Sequence, residues 1–262
     1  MSNGRSIVLD AHTHMGPGLR NHSYELPLDL VEAESLVAVM DEAGIDRAVT
    51  FAPLLEGGEF EDPLYERANR VVHEATRRFP GRIIGYCRVN PNFGQQALDE
   101  MKRCREEYGL RGLKLHPDWE FFYANSRVVN PLMERCAEYG WPVFFHTGYY
   151  PLSHPALFLP VAKAFPTVPI IMAHLGYRHT ADCIVVAHRC PNVYLETSGN
   201  SSQVAIQETL KQVGPDRLLF GSDVPYTLAE DVMQKIRTLP GLTKENEARI
   251  MGGNMARILG MS

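Results

Sequence analysis

Residues 7–18 read IVLDAHTHMGPG, and this stretch decides between two α/β architectures. Its apolar first half is typical of a parallel strand that is covered on both faces. In a doubly wound sheet, the turn after the first strand usually carries closely spaced glycines that hold a phosphate. Here His12 and His14 take that place. The stretch therefore favours a (β/α)8 barrel, in which the carboxyl ends of the strands build the active site.

Seven further apolar, β-rich runs follow this first strand, and helical patterns separate most of them. The runs are RAVTFAPL (47–54), RIIGYCRV (82–89), GLKLH (112–116), PVFFHTG (142–148), VPIIMAHLG (168–176), NVYLETSG (192–199) and RLLFGSD (217–223). Helices are predicted at residues 30–44, 63–81, 95–109, 130–140, 205–214 and 244–260. No Ser/Gly-rich linker divides the chain. The repeat predicts one domain over residues 1–262, a single (β/α)8 TIM barrel.

The composition is that of an ordinary globular protein, with 45% hydrophobic and 22% charged residues. A net charge of −5 without a basic block gives no reason to expect nucleic acid or an anionic membrane as partner. Five cysteines without a C-x-x-C motif indicate reduced thiols. No signal peptide is evident. We expect a cytoplasmic protein that acts on a small molecule, and a homodimer because symmetric dimers are common.

Half of the ten histidines fall at the carboxyl ends of predicted strands. These are His12 and His14 on strand one, His116 on strand four, His146 on strand five and His174 on strand six, and Asp223 ends strand eight. The others (His22, His73, His154, His179 and His188) lie in predicted loops or helices, and we assign them no chemistry. In a barrel, strand ends from distant parts of the chain meet on one rim. The pattern therefore predicts one site.

The residue types at these strand ends suit a metal ion. Residues two apart on a strand face the same side, so His12 and His14 both point into the barrel mouth, and Lys114 shares a face with His116. Neutral imidazoles and a carboxylate favour zinc with a position open for water. Each of these residues, taken singly, has another interpretation. A histidine can be buried and hydrogen-bonded without binding metal, Asp223 can be a helix N-cap, and Lys114 can form a buried ion pair. Ordinary packing is the corresponding interpretation for the loop aromatics Trp119, Tyr149 and Tyr150. Their position on one rim favours the metal site.

At this point the chain resembles a known family. The segments DAHTHMG, GLKLHP, FFHTG, MAHLG, LLFGSDVP and GNMARIL span residues 10–259 and are similar to motifs of the amidohydrolase superfamily. The resemblance is to its amidohydrolase-related (amidohydrolase 2) TIM-barrel branch, which includes aminocarboxymuconate-semialdehyde decarboxylase. It implies metal ligands at His12, His14, His146 and Asp223, and a role for His174 in orienting or protonating the reacting water.

The resemblance also bears on the number of metal ions. In many relatives with two metals, a carboxylated lysine that ends strand four bridges them. Here His116 ends strand four and Lys114 lies two residues earlier, so we expect one ion. Zinc is the expected cofactor, with Mn²⁺ and Fe²⁺ as alternatives.

Three functions remain open from the sequence. The first is a mononuclear hydrolase in which Asp223 accepts the proton of a metal-activated water, which attacks an amide, lactone or ester carbonyl. The second is a metal-dependent decarboxylase, a lyase, acting on an unsaturated or aromatic acid. The third is a non-catalytic barrel. We place His116, Lys114, Arg178, Tyr149 and Trp119 in the substrate pocket, with Arg178 and Arg20 as candidates for binding a substrate carboxylate.

Overall fold

The computed structural model describes residues 6–16, 32–52, 62–199 and 202–261. Arg20, His22, most of the predicted loop at 53–62 and the first residues of the predicted helix at 30–44 lie outside these ranges. Among the described residues there are nine short strands, and every pairing between them is parallel. They are β1 (Leu9–His14), β2 (Arg47–Phe51), β3 (Ile83–Gly85), β4 (Cys87–Arg88), β5 (Leu113–Leu115), β6 (Val143–Phe145), β7 (Ile170–Met172), β8 (Val193–Glu196) and β9 (Leu218–Leu219).

The strands follow one another in chain order around a ring. The predicted strand at 82–89 is divided into β3 and β4 at Tyr86, but its backbone bonds to both neighbours. Tyr86 N donates to Thr50 O at 3.0 Å, and Cys87 N donates to Gly112 O at 2.8 Å. Two further hydrogen bonds join β1 to the segment after β9, from Ala11 N to Phe220 O at 2.9 Å and from His14 N to Val224 O at 2.8 Å. The predicted α/β barrel is therefore confirmed.

Helices connect successive strands and cover the outside of the ring. Within the described part of the chain they are α1 (Ala33–Ala43), α2 (Glu66–Arg78), α3 (Gln95–Glu106), α4 (Asn130–Tyr139), α5 (Phe158–Ala164), α6 (Thr180–Arg189), α7 (Gln203–Val213), α8 (Ala229–Arg237), α9 (Lys244–Ala248) and α10 (Asn254–Ile258). The predicted last helix is divided into α9 and α10 by a π-helical turn at Arg249–Gly253. Gly44 and Gly140 end α1 and α4 in the left-handed conformation, as their sequence positions predict.

Three of these helices were not predicted. The first turn of α5 contains Pro160, and the middle of α6 carries the β-branched run Ile184–Val186, which is more typical of a strand. The third, α8, has buried residues at ordinary helical spacing and is followed by Pro240 and Gly241, so its signal was present in the sequence and was overlooked. Two sequence expectations can be compared directly with the structure. All five cysteines are free and buried. No helix in the described ranges is both long and apolar enough to span a bilayer.

Two apolar clusters form the core, one between the ring and the helices and one inside the ring. The inner cluster includes Leu9, Ala11, Val49, Phe51, Ile84, Tyr86, Phe144, Ile171, Ala173 and Leu219. Met255 and Leu259 of the α10 region pack against it, so the end of the chain contributes to the filling of the barrel. Phe51 and Phe144 lie next to His12, with ring centroids 5.1 and 4.7 Å away. They form an apolar floor beneath the strand-end histidines.

The loops after β6 and β7 meet where Gly148 faces Gly176. Gly148 has a φ of 90°, and a Cβ at this position would overlap the backbone carbonyl of Gly176. We expect Gly148→Ala to lower the free energy of unfolding, because the alanine adds both a strained φ and a backbone clash. Urea denaturation gives this quantity.

Gly140→Ala is the matched control, since Gly140 has a φ of 66° but no described atom lies within 4 Å of the place that a Cβ would occupy. This control should lower the free energy of unfolding by about 1–2 kcal/mol, because alanine is strained in the left-handed conformation. Gly148→Ala should lower the free energy of unfolding by about 1–3 kcal/mol more than the control, because it adds the backbone clash. Equal losses in the two variants would contradict a close packing of the two loops.

Candidate active site

Three side chains from the two ends of the described barrel converge at its carboxyl face. Nε2 of His12 lies 3.3 Å from Nε2 of His14, and Asp223 Oδ1 lies 3.1 and 3.2 Å from these two nitrogens. The histidines are alternate residues of β1, and Asp223 N donates to His12 O at 2.7 Å. Asp223 has a φ of 64°, a conformation that non-glycine residues rarely adopt. Such strained residues are concentrated at functional sites.

Asp10 holds the two halves of this cluster together. Its Oδ1 accepts hydrogen bonds from His12 N at 3.0 Å and from Ser222 N at 2.9 Å. One carboxylate oxygen thus fixes β1 and the segment that carries Asp223. Burial raises the pKa of Asp10 to about 7. The sequence analysis gave Asp10 no role, although it is an acidic residue in a buried strand.

Glu196, at the end of β8, orients His12. Its Oε2 lies 3.1 Å from His12 Nδ1 and accepts from Ser198 Oγ at 2.8 Å and from His174 N at 3.2 Å. A carboxylate at this position favours the tautomer with the proton on Nδ1, which leaves the lone pair of Nε2 directed at His14 and Asp223. Burial raises the pKa of Glu196 to about 7. Sequence reasoning missed this residue, although it lies in the seventh predicted strand (192–199) and ends β8 as the histidines end their strands.

His174 and His146 form a second pair beside the cluster. His174 Nε2 lies 3.1 Å from His146 Nδ1, while His174 Nδ1 lies 2.9 Å from Ser198 Oγ and 4.0 Å from Asp223 Oδ2. The backbone places His174 in a turn with a φ of 61°. His146 Nε2 is buried with no hydrogen-bond partner among the described residues, 3.9 Å from Asp118 Oδ2. Within the described ranges, His146 makes no hydrogen bond to His12, His14 or Asp223.

Lys114 and His116 extend the pocket along β5. The ring of His116 stacks on that of His146, with centroids 3.7 Å apart. Lys114 Nζ lies 4.4 Å from the ring centroid of Phe51 and 4.6 Å from that of Phe144. Among the described residues, no carboxylate lies within 4.0 Å of this ammonium, so the buried ion pair considered above is absent from them. Burial, with a further contribution from Arg88, lowers the pKa of Lys114 to about 7.

A cavity of about 300 Å³ opens above these residues. It is lined by His12, His14, Lys114, His116, Trp119, His146, Tyr149, His174, Tyr177, Asp223 and Tyr226. Within the described ranges, the structure thus brings together every predicted site residue except Arg178, whose side chain is exposed and does not line the cavity. Tyr177 and Tyr226 were missed, because a lone tyrosine in a loop gives no sequence signal. The size suits a small molecule.

The donors at this site fit a divalent cation. Tetrahedral zinc with bonds near 2.1 Å places its ligand atoms about 3.4 Å apart, close to the separations among His12, His14 and Asp223. Burial lowers the pKa of both histidines well below its usual range, so their rings are neutral and can donate lone pairs. Burial also raises the pKa of Asp223, and a cation beside it would oppose that shift. The unpartnered Nε2 of His146 is a further candidate donor.

Comparison with known proteins agrees with this architecture. A model of the amidohydrolase family matches residues 9–261, almost the whole chain. The chain belongs to the amidohydrolase family. This membership supports an enzyme rather than a non-catalytic barrel.

Individual relatives of this chain catalyse different reactions. The chain is 24% identical over 253 residues to the 4-sulfomuconolactone hydrolase of Hydrogenophaga intermedia, covering 87% of this chain and 78% of the relative. It is 23% identical over 242 residues to the 2-amino-3-carboxymuconate-6-semialdehyde decarboxylase of Dictyostelium discoideum, covering 76% of this chain and 67% of the relative. A dihydroxybenzoic acid decarboxylase from Polaromonas, solved with bound manganese, superimposes with a TM-score of 0.74 at 16% identity, over 98% of this chain and 97% of that one.

We expect Glu196→Gln to weaken zinc binding about 10–100-fold, because an amide polarises the His12 ring less than a carboxylate does. Competition with a coloured chelator gives the zinc dissociation constant. Glu208→Gln, an exposed acidic position on α7, is the control and should bind zinc as the wild type does. Unchanged zinc affinity in Glu196→Gln would contradict the orienting role.

Proposed function

We propose that the chain is a metal-dependent hydrolase that uses water to attack an amide, lactone or ester carbonyl of a small carboxylated substrate. The arrangement of Asp223 carries this proposal. Its Oδ1 faces Nε2 of His12 and His14, whereas its Oδ2 lies on the side of His174, 4.0 Å from Nδ1. One carboxylate can therefore hold a cation through one oxygen and accept a proton through the other.

His12, His14 and Asp223 would hold the cation, with His146 as the predicted fourth ligand. Zinc fits these donors, and the manganese in the Polaromonas decarboxylase supports Mn²⁺ as the alternative. A cation bound here would supply Lewis acidity, which lowers the pKa of coordinated water and stabilises negative charge on a carbonyl oxygen.

The chain's own side chains would transfer the proton and bind the substrate. Asp223 Oδ2 accepts the proton of the attacking water. His174, whose Nδ1 lies 4.0 Å from Asp223 Oδ2, takes up that proton, and the imidazolium so formed gives a proton to the leaving group and returns to its neutral form. Lys114 lines the cavity and pairs with a substrate carboxylate, beside His116. Trp119 and Tyr149, 40% and 59% exposed, flank the entrance and contact the apolar part of the substrate.

The relative from Hydrogenophaga suggests which substrates to test first. Its name identifies a small anionic lactone, and the cavity of about 300 Å³ and the buried ammonium of Lys114 are compatible with such a molecule. The substrate panel to be tested therefore begins with carboxylated and sulfonated lactones and continues with carboxylated amides and esters.

Non-oxidative decarboxylation of an unsaturated or aromatic acid is the second candidate. The relatives from Dictyostelium and Polaromonas are decarboxylases, and the same cluster of histidines and aspartate can serve a lyase. Parallel assays separate the two reactions. Acid release from lactones without carbon dioxide supports the hydrolase, whereas carbon dioxide release from dihydroxybenzoates or muconate semialdehydes supports the lyase and overturns our first choice.

We expect Asp223→Asn to lower kcat/KM by about 10²–10⁴-fold on the best substrate of this panel, because the amide cannot accept the proton. Steady-state kinetics with metal-saturated protein give the ratio. Glu230→Gln, an exposed acidic position on α8, should keep wild-type activity. Wild-type kcat/KM in Asp223→Asn would mean that the proton acceptor lies elsewhere.

We also expect carboxylate binding to weaken as the pH rises through 7. The pKa of Lys114 is lowered to about 7, so its ammonium is present below that pH and lost above it. Inhibition constants of an unreactive carboxylate, measured on both sides of pH 7, test this dependence.

Lys114→Arg is the control for this pH series, because a guanidinium remains charged throughout. The control is needed because Asp10 and Glu196 also have a pKa of about 7. The variant should show a flatter pH dependence. An equal slope in both proteins would assign the titration to another group.

A further inference from the structure

We propose that His154, His179 and Asp182 form a second zinc-binding site on the outer rim of the barrel, separate from the cavity. We call these three residues the rim trio. None of them lines the cavity, and the sequence analysis gave the two histidines no chemistry. Imidazole and carboxylate donors in this combination suit zinc, with water completing the coordination.

The rim trio joins two loops of the carboxyl face. His154 belongs to the loop after β6, where its Nδ1 accepts a hydrogen bond from Ala156 N at 3.2 Å. His179 precedes the first residue of α6, and Asp182 lies in its first turn. The donors thus come from segments that the barrel brings together.

The geometry of the rim trio is close to that of a coordination sphere. Asp182 Oδ2 lies 3.6 Å from His179 Nδ1 and 3.9 Å from His154 Nε2, and one ligand atom from each residue falls within a 4.8 Å group. Zinc would draw these atoms to separations of about 3.4 Å. Both distances exceed those of hydrogen bonds and lie within ion-pair range, so the three donors are close together without a hydrogen bond between them.

Ring orientation and exposure distinguish the rim trio from the group of His116, His146 and Asp118. The rings of His154 and His179 lie at 65° to each other, whereas those of His116 and His146 are stacked at 14°. Because lone pairs lie in the ring planes, tilted rings can aim at one point and stacked rings cannot. The side chains of the rim trio are 36% to 49% exposed, so a hydrated ion can reach them.

Binding would cost one weak hydrogen bond. Zinc at His154 Nε2 requires the ring proton on Nδ1, which gives up the hydrogen bond from Ala156 N. Water can replace that bond at a side chain that is 36% exposed. The zinc would then tie together the two loops that meet at Gly148 and Gly176 and carry Tyr149 and Tyr177, whose ring centroids lie 5.6 Å apart.

Zinc stoichiometry tests the proposal without any activity assay. Apo-protein is dialysed against zinc, and bound metal is measured by mass spectrometry for the wild type, His179→Ala, Asp182→Asn and His188→Ala. We expect the first two variants to hold one zinc equivalent fewer than the wild type. His188→Ala, an exposed histidine on the same helix, should hold as much as the wild type.

A fourth variant separates this proposal from the proposed function. His12→Ala combined with His14→Ala removes two of the inner donors and should retain the equivalent bound by the rim trio. Circular dichroism confirms that each variant is folded. Equal zinc content in the wild type and His179→Ala overturns the rim site, whatever the inner site binds. Loss of that equivalent from the His12→Ala/His14→Ala protein, with His179→Ala unaffected, overturns it as well.

Discussion

The hydrogen bonds between β1 and the segment after β9 are the constraint on which the site depends. They bring His12 and Asp223 together although 210 residues separate them in the sequence, and the backbone bond from Asp223 N to His12 O sets their spacing directly. Asp10 reinforces the junction from below through His12 N and Ser222 N. Without ring closure, the chain would have the same donors but no common point for them to face.

The site concentrates buried polar groups above an apolar floor. Asp10, Glu196 and Asp223 are carboxyl groups whose pKa burial raises, and Lys114 is an amine whose pKa burial lowers. Each departure reflects an unfavourable transfer of charge out of water. The region therefore lowers the stability of the fold, and a cation bound to the native state alone would restore part of it. Strained backbone at His174 and Asp223 adds to the same cost.

Periodicity and strand ends predicted most of the architecture, because parallel strands and their polar ends have strong local signals. The eight-unit barrel and the convergence of the strand-end histidines with Asp223 followed from this pattern. Glu196 ends a strand by the same rule and was overlooked, whereas Ser198 and Tyr226 lie in loops whose positions depend on tertiary contacts. The side chain of Arg178 is exposed, and it follows the strained turn from His174 to Tyr177. The sequence has no periodic pattern that would predict this turn.

The packing of α10 against the inner cluster has a consequence for biosynthesis. Met255 and Leu259 belong to the same cluster as Leu9 and Ala11, which are synthesised before them. Until the last of these residues is made, the inward faces of the early strands lack part of their cover. Such contacts between distant parts of the chain form slowly, and apolar strands that stay exposed until these contacts form favour aggregation. The inner cluster beneath the site is therefore completed only after the α10 region has been synthesised.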